Sequence, residues 1–160
     1  AKEQGGGPIG LEALSILRAE KGYVIIGRDT DGETMPHDLG FTIPRGRKKT
    51  AFVGDRGLHS PEANREDRRK FVGLMVPEGM DPLPHGAHFV SMSPTGRKSA
   101  GYVTSSYFSP TLGKPVALGL IDASLAEDGV DVDLFHLGQT LRATVTSPCF
   151  LDPKGERVNA

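Results

Sequence analysis

The strongest constraint on this chain is a series of short apolar, β-prone runs between residues 70 and 146, each cut off by glycine, proline or polar turns. The clearest pair is Tyr102 to Phe108 and Val116 to Ile121. Both are rich in β-branched, aromatic or aliphatic residues, which fit a pleated, half-buried surface. Between them, Ser109-Pro110-Thr111-Leu112-Gly113-Lys114-Pro115 carries two prolines and a glycine. Proline has no backbone N–H, so neither Pro110 nor Pro115 suits the interior of a central strand. The stretch reads as strand, rigid loop, strand. Phe71 to Val76, His88 to Val90, Val130 to Phe135 and Leu141 to Val145 add four more runs. Val130-Asp131-Val132-Asp133-Leu134 alternates strictly, as a strand with one wet face should. Asp122 to Ala126 suits one helical turn between strands. About six short strands with such turns predict a mainly β unit, a small antiparallel barrel or sandwich.

The first third has a different rhythm. Ile9 to Glu20 reads as a helix whose Leu11, Leu14 and Leu17 make one apolar face. Gly22 is a natural stop. Tyr23-Val24-Ile25-Ile26 reads as a short buried strand or extended segment. Arg28 to Gly40 has turn chemistry, with Asp29-Thr30-Asp31-Gly32 and Met35-Pro36. Arg65 to Lys70 holds no apolar residue, so the organisational boundary falls there: about 1–60 on one side and 70–160 on the other. The helix face and Tyr23 to Ile26 must still be buried, against the barrel or a neighbouring copy.

Composition excludes several classes. A chain of 160 residues can bury a core without staples. A formal net charge of −1 gives no global basic field for nucleic acid. No apolar run approaches membrane-spanning length. The single cysteine, Cys149, cannot form an internal disulfide, which fits a reducing, cytoplasmic setting.

Residue by residue, the chemistry is sparse. His37, His59, His85, His88 and His136 show no metal-ligand spacing. Cys149 sits in an apolar context with no adjacent base. Gly5-Gly6-Gly7 matches neither phosphate-loop spacing nor the dinucleotide fingerprint and reads as a linker. Arg45, Arg47, Lys48 and Lys49 form a basic cluster able to hold a carboxylate or phosphate tail, though taken alone it reads better as a solvated loop. Glu62 to Lys70 reads as a solvated linker or helix face. Glu20 is the oddity: an acid at the negative pole of a helix, unfavourable even when solvated. No catalytic constellation and no metal site are visible.

Gly101-Tyr102-Val103-Thr104-Ser105, Phe108-Ser109-Pro110-Thr111-Leu112-Gly113-Lys114 and Val116-Ala117-Leu118-Gly119 together resemble the C-terminal barrel of the glycine-cleavage T-protein (aminomethyltransferase) family. Leu17-Arg18-Ala19-Glu20-Lys21-Gly22, Gly27-Arg28-Asp29-Thr30-Asp31 and Thr34-Met35-Pro36 resemble that family's preceding series, in the same order. Pro36-His37-Asp38-Leu39-Gly40 and Ser147 to Asn159 are similar to the branch formed by heterotetrameric sarcosine oxidase α subunits. The resemblance implies a β-barrel with an N-terminal helix and extended segment left from a folate-binding domain: about 1–60 that remnant, 70–160 the barrel. It further implies an enzyme that oxidises sarcosine with oxygen and passes the one-carbon unit to tetrahydrofolate. Flavins and NAD would belong to the full complex, not to this segment. Partners would be the remainder of the α subunit and the other subunits. Among site residues the resemblance implies Glu20 as a pterin contact and Lys49 as a basic ligand contact. The family's catalytic aspartate has no counterpart here, so the segment alone is expected to be inactive. A T-protein, a dimethylglycine-dehydrogenase-like protein and a non-enzymatic barrel module are the alternatives. Nothing in Ser109 to Gly113 looks catalytic, and the ligand contact implied at Glu20 is expected to lie far from it.

Overall fold

A computed structural model describes residues 2–41, 52–94 and 96–157. Six strands are present: β1 Arg69–Met75, β2 His88–Ser93, β3 Gly96–Ser109, β4 Lys114–Asp122, β5 Asp131–His136 and β6 Gln139–Thr146. They close into a barrel in the order β1-β4-β3-β2-β5-β6, with β6 returning to β1. Every pairing is antiparallel. Each of the six β-prone runs in the sequence therefore forms a strand, but the loop between the central pair is shorter than Ser109 to Pro115: Ser109 ends β3, and Lys114 and Pro115 open β4, where Pro115 pairs with Phe108 beyond the end of the β1 pairing, a strand-start position that tolerates proline. The alternating run behaves as its pattern requires, with Val132 and Leu134 buried and Asp131 and Asp133 exposed. The helical turn between strands is a 3₁₀ turn at Ala123–Leu125.

The barrel has two apolar clusters, one inside and one outside. Leu74, Phe89, Val103, Leu134 and Val145 belong to the interior cluster. On the outer face, Phe71, Leu118 and Leu120 form a second cluster with Ala19, joined by Val24, Leu39, Tyr102, Tyr107 and Phe150. That outer cover explains β4: its residues Pro115 to Ile121 are buried on both faces, hence their unbroken apolar character.

The cover is the N-terminal segment. Helix α1 spans Leu11–Glu20. It stops as expected at Gly22, whose φ is 70°. The Gly22 N–H donates to the Ala19 carbonyl at 3.0 Å and the Tyr23 N–H to the Arg18 carbonyl at 2.9 Å. That pair of bonds is the Schellman arrangement. A Cβ on Gly22 would lie 2.5 Å from the Pro148 carbonyl oxygen, so glycine also permits the C-terminal segment to pass close by. A short helix α2, Asp55–Leu58, and 3₁₀ turns at Lys2–Gln4 and Pro36–Leu39 are the remaining helical elements among the described residues.

Of the two covers expected for the α1 leucine face, barrel or neighbouring copy, the barrel is excluded, and the buried strand expected at Tyr23 to Ile26 is overturned. Leu11, Leu14 and Leu17 do not dock on the barrel; they are 84%, 54% and 47% exposed. α1 meets the barrel through its last turn instead, where Arg18, Ala19 and Glu20 are buried. Tyr23 to Ile26 is neither a strand nor buried as a block, since Tyr23 and Ile26 are exposed. The physical reason is a turn: Arg28 and Asp29 N–H groups both donate to the Ile25 carbonyl, at 3.1 and 2.9 Å. That turn folds Asp29 back beneath Arg18. Only Val24 of the four joins the outer cluster.

Candidate functional site

Three buried carboxylates, Asp29, Asp38 and Glu20, anchor the N-terminal segment on the barrel, and two exposed contacts, Arg28 Nη1 to Tyr107 Oη at 2.8 Å and Tyr102 Oη to Asp31 Oδ2 at 3.2 Å, add to them. The first attachment is centred on Asp29, which is fully buried. Its carboxylate accepts from Arg18 Nη1 at 2.5 Å, Thr104 Oγ1 at 2.5 Å, Ser105 Oγ at 2.8 Å and the Ile25 N–H at 2.9 Å. Arg18 Nη2 also donates to Ser105 Oγ. The Arg18 guanidinium lies 5.9 Å from the centre of the Tyr107 ring. Thr104 and Ser105 are sequence neighbours, and in a regular strand they would face opposite sides. The β3–β4 register shifts between Val103 and Ser105, and this irregularity accompanies both hydroxyls meeting Asp29.

The second attachment is Asp38, which accepts a fork from Arg68: Nε to Oδ1 at 2.8 Å and Nη2 to Oδ2 at 2.7 Å. The Met35 N–H adds a third bond at 2.8 Å. Burial pushes this carboxyl up, but Arg68, the Met35 amide and Lys70 outweigh it and hold it below the usual aspartate range. The Arg68 side chain is only 9% exposed, so the charged run Glu62 to Lys70 is not wholly solvated. Arg68 is drawn inward because a planar guanidinium matches a carboxylate edge to edge. Arg65, by contrast, stays at the surface with Glu62 and Asp67.

The third attachment is Glu20. It is 1% exposed, so it is not a solvated helix-end charge. Ser109 Oγ donates to Oε1 at 2.5 Å, and Thr111 Oγ1 donates to Oε2 at 3.2 Å. The Glu20 carbonyl accepts from the Phe150 and Leu151 N–H groups at 2.9 and 3.0 Å. Among the described residues no cation is paired with this carboxylate. Its neighbour Lys21 turns instead to Asp152, 3.3 Å away. The separation of Glu20 from the Ser109–Gly113 loop is thus corrected: the fold brings the two together, and the loop's hydroxyls cover the acid.

Lys49 lies outside the described residues, as does the rest of the basic cluster from Arg45 onward. Sequence reasoning also missed Ser109 and Thr111. The available signal was their place in the same proline-stiffened loop that carries the family resemblance, but nothing local pointed them at Glu20.

Glu20 is therefore a buried acceptor with neutral partners, set at the meeting point of α1, the β3–β4 loop and the C-terminal segment. It suits a ligand presenting N–H donors. One carboxylate does not enclose a heterocycle, so any such pocket needs walls beyond these residues.

Comparison with known proteins agrees with this architecture. Residues 69–152 match the family described as the glycine cleavage T-protein C-terminal barrel domain. The sarcosine oxidase subunit alpha of Corynebacterium sp. (strain P-1) is 34% identical over 154 residues, covering 94% of this chain and 16% of that protein. An aminomethyltransferase of Thermoanaerobacter pseudethanolicus is 33% identical over 150 residues, covering 93% of this chain and 39% of its own length. The crystal structure of glycine cleavage system aminomethyltransferase T from Bartonella henselae superposes with a TM-score of 0.75 at 30% identity. It is matched over 91% of this chain and 40% of its own. The chain thus spans about one-sixth to two-fifths of the proteins it resembles.

Proposed function

The chain belongs to the glycine cleavage T-protein family, whose C-terminal barrel it carries, and on that premise we propose that it is the C-terminal part of a sarcosine oxidase α subunit. In this reading the complete enzyme converts sarcosine, oxygen and tetrahydrofolate to glycine, hydrogen peroxide and 5,10-methylenetetrahydrofolate. Residues 1–60 complete a folate-binding domain, and residues 70–160 are the barrel that closes against it. The outward leucines of α1, unmatched by the barrel, suit packing against the rest of that subunit. Flavin and NAD belong to other parts of the complex.

The observation that carries the folate assignment is the Glu20 carboxylate, 1% exposed and without a cation among the described residues. Burying a carboxylate among neutral groups costs several kcal/mol. Such an arrangement is expected where function, rather than stability, selects the residue. The residues present fit the group in part: two carboxylate oxygens match the paired N–H donors of a pterin edge. Tetrahydrofolate, when bound, accepts the one-carbon unit. Glu20 holds and orients its heterocycle, and Lys49 supplies a positive charge to the ligand. Lysine there acts as a point charge, without the fork of arginine.

Two measurements test this. Calorimetric titration of the complete chain with a reduced folate should lose affinity on Glu20→Ala; equal affinity removes the assignment. Oxygen uptake by the assembled complex should depend on sarcosine. The likeness to aminomethyltransferases favours a second reading, in which the substrate is an aminomethyl group of the glycine cleavage system. A complete chain that holds no flavin-bearing partner, takes up no oxygen with sarcosine, yet transfers an aminomethyl carbon to folate would establish that second reading.

A further inference from the structure

The two hydroxyls on Glu20 are not equivalent. Ser109 is fully buried. Its Oγ donates to Oε1 at 2.5 Å while accepting the Leu112 N–H at 3.0 Å. The turn therefore fixes this oxygen, and its single proton is committed to the carboxylate. Thr111 is exposed, and its Oγ1 reaches Oε2 at the longer distance of 3.2 Å. A short O–H···O contact is stronger than a long one. The cost of rupture differs too. A freed Thr111 hydroxyl turns to water, whereas a freed Ser109 hydroxyl, still accepting the Leu112 N–H, would keep a buried proton with no acceptor, at a penalty.

We infer that Ser109 and Thr111 are positioning residues of opposite sense for the ligand contact at Glu20. Ser109 fixes the carboxylate through Oε1. Thr111 is a placeholder on Oε2, displaced when a ligand donates an N–H there. The ligand class is a heterocycle with adjacent N–H donors, such as the amino-oxo edge of a reduced pterin. This inference rests on the reading of Glu20 as a ligand contact. It adds that the barrel, through its β3–β4 loop, sets the affinity of a site whose acid lies on α1.

The test is a set of calorimetric titrations of the complete chain with 5-formyltetrahydrofolate as probe. Thr111→Val keeps the shape and removes the placeholder. Binding then no longer has to break a hydrogen bond, so affinity should rise about threefold to tenfold. Thr111→Ser should restore wild-type affinity. Ser109→Ala should weaken binding by about tenfold, and Ser109→Thr should recover most of it. Both Thr111→Val and Ser109→Ala should lower the melting temperature of the unliganded protein, because each removes a bond to a buried acid. A merely structural role would move the melts together and the affinities together; the inference requires affinities of opposite sign. Should Ser109→Ala fail to fold, the Thr111 pair decides: tightening by Thr111→Val supports the inference, while weakening or no change overturns it. Glu20→Gln separates the two levels. If it abolishes binding while Thr111→Val fails to tighten, the placeholder is wrong and Glu20 stands. If it binds as wild type, the ligand assignment itself falls.

Discussion

Replacing Asp29 by alanine should detach the N-terminal segment while leaving the barrel closed. The carboxylate accepts four hydrogen bonds and pairs with Arg18, whose side chain is 7% exposed. Removing one member of a buried ion pair typically costs about 3–5 kcal/mol. Arg18 retains the Tyr23 carbonyl at 3.2 Å and a bond to Ser105 Oγ, which places the expected loss near the lower end, about 3 kcal/mol. None of Arg18, Asp29, Thr104 and Ser105 belongs to the interior cluster, so the loss should fall on attachment of the segment rather than on the barrel. The chain offers a convenient assay. It has no tryptophan and three tyrosines, of which Tyr102 and Tyr107 pack in the outer cluster. Tyrosine fluorescence therefore reports docking, and far-ultraviolet circular dichroism reports the barrel. In a urea titration of Asp29→Ala, the fluorescence transition should move to lower urea and separate from the circular dichroism transition. Arg18→Met added to Asp29→Ala should restore at least half the loss, because no unpaired guanidinium then remains buried. A loss below about 1 kcal/mol, or strictly additive single variants, would refute the reasoning.

Acid should weaken the second attachment. The Asp38 carboxyl is held below its ordinary value in the folded chain, so its contribution is fully present above about pH 4 and disappears as pH falls through the folded value. Urea titrations from neutral pH to about pH 2 should show a flatter decline for Asp38→Asn than for wild type; parallel curves would mean the Arg68 fork contributes nothing. Gly22→Ala should destabilise the end of α1 by about 2–4 kcal/mol, combining the left-handed φ of 70° with a contact 2.5 Å from the Pro148 carbonyl oxygen. Hydrogen exchange at Phe150 and Leu151, whose amides bond the Glu20 carbonyl, should accelerate with it. Leu11→Lys with Leu14→Lys should alter the stability of this 160-residue chain by no more than about 0.5 kcal/mol, since both side chains are exposed. The same pair should reduce any self-association seen by sedimentation; a large loss of stability would show that the face is packed.

The barrel was legible because each strand announces itself locally. β-branched runs, the turn at Pro110 and the alternation through Val132 and Leu134 are properties of neighbouring residues, whereas Pro115 misleads, since it lies within β4. The attachments were not, because they join residues far apart. Ser109 and Thr111 meet Glu20 across 89 and 91 positions, and Asp38 meets Arg68 across 30. α1 shows the limit of periodicity. Leu11, Leu14 and Leu17 mark a face, but spacing does not say whether this chain supplies its cover. The irregularity at Val103/Ser105 defeats the alternation rule that placed Thr104 and Ser105 on opposite sides. Glu20 was singled out only because an acid fits poorly at a helix C-terminus, and the resemblance then gave that misfit a use.

The outer cluster has a consequence for how such proteins can be recombined. The stretch that matches the barrel family begins at residue 69. Cut out by itself, that stretch would carry Phe71, Leu118 and Leu120 without their lid, and Thr104, Ser105 and Ser109 without the acids they serve. The outer face of the barrel therefore stays covered within this chain only when α1 and the Gly27–Gly40 turns travel with the strands. The closed sheet is the unit of topology, but the unit that buries its own apolar surface is longer at its N-terminal side.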